Sequence, residues 1–473
     1  MATALTPDIC VIGAGSGGLS VAAAAASFGV PVVLIEKGKM GGDCLNYGCV
    51  PSKALLAAAR HAVASRDASR FGLRAAPPQI DFAKVHAHVH GVIGAIAPTD
   101  SKERFAGLGV RVIEGAARFL DARTVTVGDM AIKARRFVIA TGSAPALPPI
   151  DGLAETPYLT NETVFDLKRV PEHLIVIGAG AVGLELAQAH RRLGAVVTVL
   201  EAATPLANDD PECAAVVVDQ LTREGVVVRA DVKVTKVARV GEKVAVTFAG
   251  EQGDETIEGS DLLVATGRKP NIDGLALDAA GIETEGGGIK VDRRLRTTNR
   301  RVYAIGDVAG GHFTHVANYH AGIVLRNVLF RLWAKVDDNA VPRVIFTEPE
   351  LAHVGLTERQ ARERHGSLRV LRWPYHENDR AQAEHATHGH IKVVTAANGR
   401  ILGATVVGAQ AGELITVWTL ALARGLNIRA MTEIVVPYPT LSEIGKRAAI
   451  TYFSSSLTSP TVRRLLGFLR RFG

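Results

Sequence analysis

Two copies of one local pattern constrain the fold of this chain more than anything else in it. The first begins with the apolar run DICVI at 8 to 12, which reads as a buried parallel strand. It continues through GAGSGG, with Gly13, Gly15 and Gly18, an alanine-rich helix over 19 to 28, and a strand from Val32 to Ile35 closing on Glu36. The second runs from LIVI at 174 to 177 through GAGAVG, with Gly178, Gly180 and Gly183, and a helix through Arg192 to the strand VVTVL, closing at Glu201. A lone GxGxxG says little, but between a strand and a helix, with an acid about twenty residues on, it marks a dinucleotide-binding unit. The first glycine permits the turn, the second lets a pyrophosphate approach backbone amides, and the third lets helix pack on strand, while the acid accepts from ribose hydroxyls. The chain is therefore expected to be α/β, with two Rossmann-like domains and two bound dinucleotides.

An internal echo supports duplication. A helical region over 51 to 105 and short strands over 111 to 139 lead into ATGSAPALPPI, and a second strand run over 226 to 265 leads into ATGRKPN. Each half is thus a βαβ unit, a small antiparallel insertion and a return strand ending in AlaThrGly, at Gly142 and Gly267. Another strand, RVYAIGDV at 301 to 308, ends in GlyAsp, where Asp307 can reach a second part of a cofactor. A helix follows at about 316 to 333. From Pro342 the pattern changes to strands (343 to 346, 368 to 373, 390 to 395, 401 to 407) and helices (357 to 364, 411 to 424, 442 to 452), a separate α+β domain. Glu201 is followed by AlaAlaThr rather than by arginines, which favours NADH over NADPH.

Between the first repeat and its helical region lies GGDCLNYGCVPSK, Gly41 to Lys53, with Cys44 and Cys49 close enough in sequence to form a disulfide. Such a bridge needs Cα atoms within about 7 Å, which a helix start or irregular turn can provide. A helix expected over 54 to 60 would lower a thiolate pKa by its positive end, so a reactive pair is the favoured reading. Cys10, in a buried strand, and Cys213, near a helix start, read as small buried hydrophobes.

Composition narrows the classes. A chain of 473 residues with 47% hydrophobic content suggests about three domains with ample core. Four cysteines do not make a disulfide scaffold. The N-terminus lacks a basic leader and no stretch is long enough to span a bilayer, so a cytoplasmic protein is expected. The formal charge of +7 comes with no nucleic-acid motif, so no nucleic-acid partner is expected.

With two GxGxxG units, two ATG junctions, Gly306 and Asp307, and the stretch GGDCLNYGCVPSK in place, the chain resembles the pyridine nucleotide-disulfide oxidoreductases from about residue 7 to 455. That group includes dihydrolipoamide dehydrogenase, glutathione reductase and mercuric reductase. The resemblance implies a glutathione reductase-like fold with a discontinuous FAD domain (1–150 and 271–341), an NAD(P) domain (151–270), a dimerisation domain (342–455) and a tail (456–473). It implies FAD held by Gly13, Gly15, Gly18, Glu36, Gly42, Lys53, Gly142 and Asp307, and a nicotinamide cofactor held by Gly178, Gly180, Gly183, Glu201 and Gly267. By the same resemblance Cys49 is the flavin-facing thiolate, Cys44 attacks substrate, and Lys53 pairs with Glu185. Hydride would pass from nicotinamide to flavin, and two electrons onward to the disulfide and then to a small-molecule or protein-bound disulfide or thiol acceptor. A homodimer is implied, and no resident metal.

Relatives usually carry HisProThr and a glutamate at the base position. Here Pro437, Tyr438, Pro439 and Thr440 precede Glu443, so a phenol with pKa near 10 stands where an imidazole near 6.5 is poised as base. Ordinary lipoamide or glutathione reduction is thereby weakened. Mercuric reductase also resembles the chain, with a tyrosine at this position, yet this tail has no cysteine after Cys213 to receive a metal. His312, His315, His320, His376, His385, His388 and His390 are alternative proton carriers, read as surface residues rather than metal ligands. Asp43 stands where threonine is common, and Ala181 where a larger residue often shields the flavin. Three readings stay open: a dihydrolipoamide dehydrogenase-like enzyme, a mercuric reductase-like metal-ion or quinone reductase, and a redox-sensing flavoprotein subunit. The tail SPTVRRLLGFLRRFG puts Val462, Leu465, Leu466, Leu469 and Phe472 opposite Arg463, Arg464, Arg470 and Arg471, a helix that can pack on its own dimer, the commoner outcome, or make weak contact with a membrane surface or a partner.

Overall fold

The strand Ile9–Ile12 is apolar at every position and buried on both faces, as a central parallel strand must be. In the computed structural model, which describes residues 4–74, 76, 78–250, 253–454 and 459–472, it lies in the middle of a five-stranded sheet. The order is Val302–Ala304, Arg136–Ile139, Ile9–Ile12, Val32–Glu36, Arg111–Glu114, all parallel. Alternation divides its side chains between two cores. Ile9 and Val11 pack with the helices Ser16–Ser27 and Thr314–Leu329, whereas Cys10 and Ile12 pack under the small strands Arg118–Asp121, Thr124–Val127 and Met130–Ile132. Cys10 is fully buried, which pushes its thiol pKa up and fits it for packing rather than chemistry.

The second repeat follows the same plan. Val196–Leu200, His173–Ile177 and Asp261–Val264 form parallel neighbours, with the meander Lys233–Val240, Lys243–Gly250 and Gly253–Gly259 as the insertion. Chain contacts divide the molecule into two units, Met1–Ala202 with Val232–Val336, and Ala203–Asp231 with Asp337–Gly473. Both glycine turns and both cysteines belong to the first.

The second unit is built on an antiparallel five-stranded sheet ordered Arg343–Ile345, Glu350–Gly355, Ile401–Gly408, His390–Ala396, Leu368–Pro374. The strand Glu350–Gly355 and the helices Asp379–Ala383 and Ile428–Glu433 were not expected from sequence; the helices are five and six residues long, too short to show a period. The segment Ala203–Asp231 joins this unit through a buried charge cluster. Lys392, 4% exposed, lies 2.8 Å from Asp210 Oδ2, 3.0 Å from Glu212 Oε2 and 2.8 Å from Glu358 Oε2. Arg372 donates to Glu212 at 2.8 Å, and with Lys392 it draws that carboxyl down to about 2.

Removing one partner from such a buried cluster leaves uncompensated charge. Lys392→Ala should therefore cost about 3–5 kcal/mol, seen as a lower denaturation midpoint of the purified chain. The depressed pKa of Glu212 sets the sign of the acid response. Its contribution is present above the ordinary carboxyl range and is lost as pH falls towards about 2, so Glu212→Gln should flatten the acid limb of the stability profile.

Candidate active site

The reactive loop is fixed by a backbone contact with the first glycine turn. Gly41 donates its N–H to Ala14 O at 3.0 Å, and a Cβ on Gly42 would stand 2.6 Å from the Cα of Gly15. Gly41 (φ +86°) and Gly42 (φ +60°) both occupy the left-handed region that favours glycine. Asn46 holds the turn by donating to Met40 O and Gly42 O. Cys44 lies in the short helix Gly42–Asn46, and Cys49 is the first residue of the helix Cys49–Asp67. That helix starts five residues earlier than the sequence suggested, because Pro51 in its first turn needs no intrahelical donor and is tolerated there.

The two cysteines, both free thiols here, differ sharply in acidity. The Cys44 thiol donates towards Cys49 and draws the Cys49 pKa down to about 6, against the opposing effect of burial, with help from the Thr314 hydroxyl and the charge of Lys53. Thr314 Oγ1 is 3.5 Å from Cys49 Sγ. Cys49 also sits at a helix N-terminus, where partial positive charge favours a thiolate. Cys44 is held up by the same hydrogen bond, by burial and by the negative sulfur beside it. The reduced pair thus carries one proton, on Cys44.

Lys53, four residues into the helix, makes a 2.9 Å ion pair with Glu185, which is 5% exposed and lies in the helix Ala181–Arg192 of the second repeat. The pair fixes the lysine between the two dinucleotide units.

The glycine turns fit the cofactors that the sequence implies. Gly13 and Gly178 share a φ of +106°, and a Cβ on them would meet Ala140 O at 2.4 Å and Ala265 O at 2.5 Å respectively. Gly18 and Gly183 face the carbonyls of Gly13 and Gly178 so closely that no side chain could enter. Gly15 and Gly180 cap the following helices with free first-turn amides. Glu36 accepts from Ala14 N at 2.5 Å and Gly38 N at 2.7 Å, and Glu201 accepts from Ala179 N at 2.6 Å. These bonds orient both carboxylates beside the glycine turns.

Gly142 (φ +66°) and Gly267 (φ +145°) turn the chain after the return strands, and the segments beyond them pair as Ser143–Pro145 with Arg268–Pro270. Arg268 there donates to Ser143 Oγ at 2.7 Å and lies 3.6 Å from Asp307 and 3.2 Å from Asp43. Asn161 also donates to Asp43, at 3.1 Å. The acid that departs from the common threonine is therefore countered by an arginine of the second ATG segment.

In the second unit the Tyr438 hydroxyl donates to Asp379 Oδ2 at 2.8 Å, which raises its pKa and leaves less phenolate to act as a base near neutral pH. Glu443 heads the helix Glu443–Thr451, but the phenol bonds Asp379 instead, a partner 59 residues away that no local pattern announced. Thr314 and Arg268 escaped the sequence reading for the same reason.

The histidines are dispersed. His320 is 4% exposed and accepts from Gly306 N, and so is structural rather than superficial. His390 is 15% exposed at its side chain, against Cys213 and Glu212. Among the described residues the group with ligand atoms mutually within 4.8 Å is instead His86, His90 and Asp166.

The acidity of Cys49 is directly measurable. Thiolate absorbance of the reduced protein should titrate with a midpoint near 6. Lys53→Met should move that midpoint up, whereas Asp43→Asn should move it down, because Asp43 opposes the thiolate.

Comparison with known proteins agrees with this geometry. Residues 7–322 match the family described as pyridine nucleotide-disulphide oxidoreductase, and residues 341–449 match its dimerisation domain. The chain is 38% identical to a mercuric reductase of Streptomyces lividans over 457 residues, covering 94% of this chain and 96% of that protein. It is 38% identical to a dihydrolipoyl dehydrogenase of Thermus scotoductus over 460 residues, covering 93% and 95%. Among solved structures, the Cu(II) complex of the HOCl-induced flavoprotein disulfide reductase RclA from Escherichia coli is similar at TM-score 0.85 and 28% identity, over 94% of this chain and 99% of that one. LpdA from Mycobacterium tuberculosis is similar at TM-score 0.86 and 28% identity, with the same coverage. The chain belongs to the pyridine nucleotide-disulphide oxidoreductase family and is an FAD-dependent disulfide oxidoreductase.

Proposed function

We propose that the enzyme is a cytoplasmic homodimer that oxidises NADH in preference to NADPH and reduces a disulfide-type acceptor through Cys44 and Cys49. The observation that carries this reading is the placement of the pair, with Cys49 opening the helix Cys49–Asp67 at 3.5 Å from Thr314 Oγ1 and Cys44 in the loop bonded to the first glycine turn. FAD, on the residues that fit it, would supply two-electron transfer from the nicotinamide to the cysteine disulfide. The Lys53–Glu185 pair holds a positive charge that favours the Cys49 thiolate.

The acceptor step follows from thiol–disulfide exchange. Cys44 gives its proton to a neighbouring base and attacks one acceptor sulfur, forming a mixed disulfide and expelling the first thiolate. The Cys49 thiolate then attacks Cys44 Sγ, which closes the Cys44–Cys49 bond and expels the second thiolate. The pair loses two electrons, the acceptor gains two, and the expelled sulfurs take up the released proton and one from solvent. Tyr438 occupies the family's proton-handling position with Glu443 nearby in sequence, but its bond to Asp379 holds its proton in place. The Cys49 thiolate would then be the first base for Cys44, handing that proton to the first expelled thiolate before it attacks Cys44 Sγ.

That same bond favours a second reading, a metal-ion or quinone reductase in which the acceptor requires no strong base. An acceptor panel of lipoamide, oxidised glutathione, mercuric ion and quinones, run with NADH and NADPH separately, distinguishes them. The disulfide reading expects faster turnover with NADH, loss of nearly all disulfide reduction in Cys44→Ser, and a rise of about tenfold or more in disulfide turnover in Tyr438→His, within the range of a positioned base. Quinone or mercuric turnover that survives Cys44→Ser, with negligible disulfide reduction by the parent enzyme, would establish the second reading.

A further inference from the structure

The helix Pro460–Leu469, capped by Ser459, buries none of its side chains. Leu465, Leu466, Phe468, Leu469 and Phe472 are all at least half exposed, the last at 74%. At about 100° per residue, Val462, Leu465, Leu466, Phe468 and Leu469 cover an arc of about 160° bounded by Leu466 and Phe468, with Thr461 inside it and Phe472 just beyond the helix end. Arg463 lies about 60° beyond the Leu466 boundary and Arg464 about 40° beyond the Phe468 boundary, and Arg470 and Arg471 follow at the helix end. Gly467 and Pro460 lie between the arginines on the polar face, and no acidic residue occurs from Ser459 to Gly473. Four of the chain's formal +7 charges therefore border one apolar surface.

We propose that this helix binds the surface of an anionic membrane, lying in the interface with its apolar arc in the acyl boundary and its arginines among the phosphates. The placement of the arginines carries the choice of occupant. Guanidinium groups that border the apolar arc on both sides can extend to headgroup depth while their stems cover apolar surface. An isologous contact of this helix with its own copy would set arginine against arginine, with no acid from Ser459 to Gly473 to offset them. The helix is too short to span a bilayer, and no helix among the described residues is long and apolar enough to do so. The arrangement would hold the enzyme at a membrane surface without inserting it.

Flotation of the full flavin-loaded chain with phosphatidylcholine vesicles, with and without phosphatidylglycerol, tests this. Binding is expected to the anionic vesicles, about tenfold or more weaker to the neutral ones, and weakened by added salt. Leu465→Glu with Leu469→Glu, and separately Arg463→Gln with Arg470→Gln, should each lower anionic-vesicle binding by about tenfold or more while leaving NADH turnover and flavin content unchanged. Absence of flotation, or equal flotation with both vesicle types, overturns the proposal. So does a change of oligomeric state by light scattering in the leucine double variant, because it would identify a second copy as the occupant.

Discussion

The close approach of Gly42 to Gly15 is the constraint on which the site depends. With 2.6 Å available where a Cβ would stand, and a Gly41 N–H bonded to Ala14 O, the cysteine loop and the phosphate turn form one piece of backbone. A side chain at Gly42 would displace Cys44 and Cys49 from the turn that fits the dinucleotide pyrophosphate. The rest follows from that junction. The helix Cys49–Asp67 leaves it with Cys49 at its positive end, and one turn on, Lys53 meets Glu185 of the second repeat. Electron transfer needs donor, carrier and cysteine pair in sequence, and a single helix connects the elements that fit each.

The asymmetry of the pair is a result of placement rather than of residue type. Both residues are cysteines in one loop; Cys44 donates its hydrogen bond to Cys49, the Thr314 hydroxyl reaches both, and only Cys49 adds a longer helix's N-terminus and a nearby lysine. One sulfur is therefore suited to be a stable anion and the other to keep a proton until it attacks. Asp43 works against the anion, and its contact with Arg268 limits that effect. The duplicated fold provides this compensation, since Arg268 follows the second AlaThrGly and Asp43 precedes Cys44.

Much of this was legible in the sequence because it depends on local periodicity and fixed spacing. The glycine turns, the acids Glu36 and Glu201, and the cysteine loop announce themselves within about thirty residues each. What escaped were contacts made by side chains far apart in the chain. Thr314 reaches Cys49 across 265 residues, and Asp379 reaches Tyr438 across 59. Lys392 and Asp210 are ordinary charges in sequence and become a buried pair only when a sheet and a helix meet. The unexpected helices of the second unit are short, and periodicity has little purchase over a turn or two.

The central claim is that Cys44 and Cys49 form a redox pair in communication with the flavin. Anaerobic reductive titration of the flavin-loaded protein tests it most directly. Uptake of four electrons per chain is expected, two by the flavin and two by the disulfide, falling to two in Cys44→Ser, with a long-wavelength thiolate–flavin band kept by Cys44→Ser and lost in Cys49→Ser. An uptake of two electrons by the unaltered protein, with no such band, would contradict it.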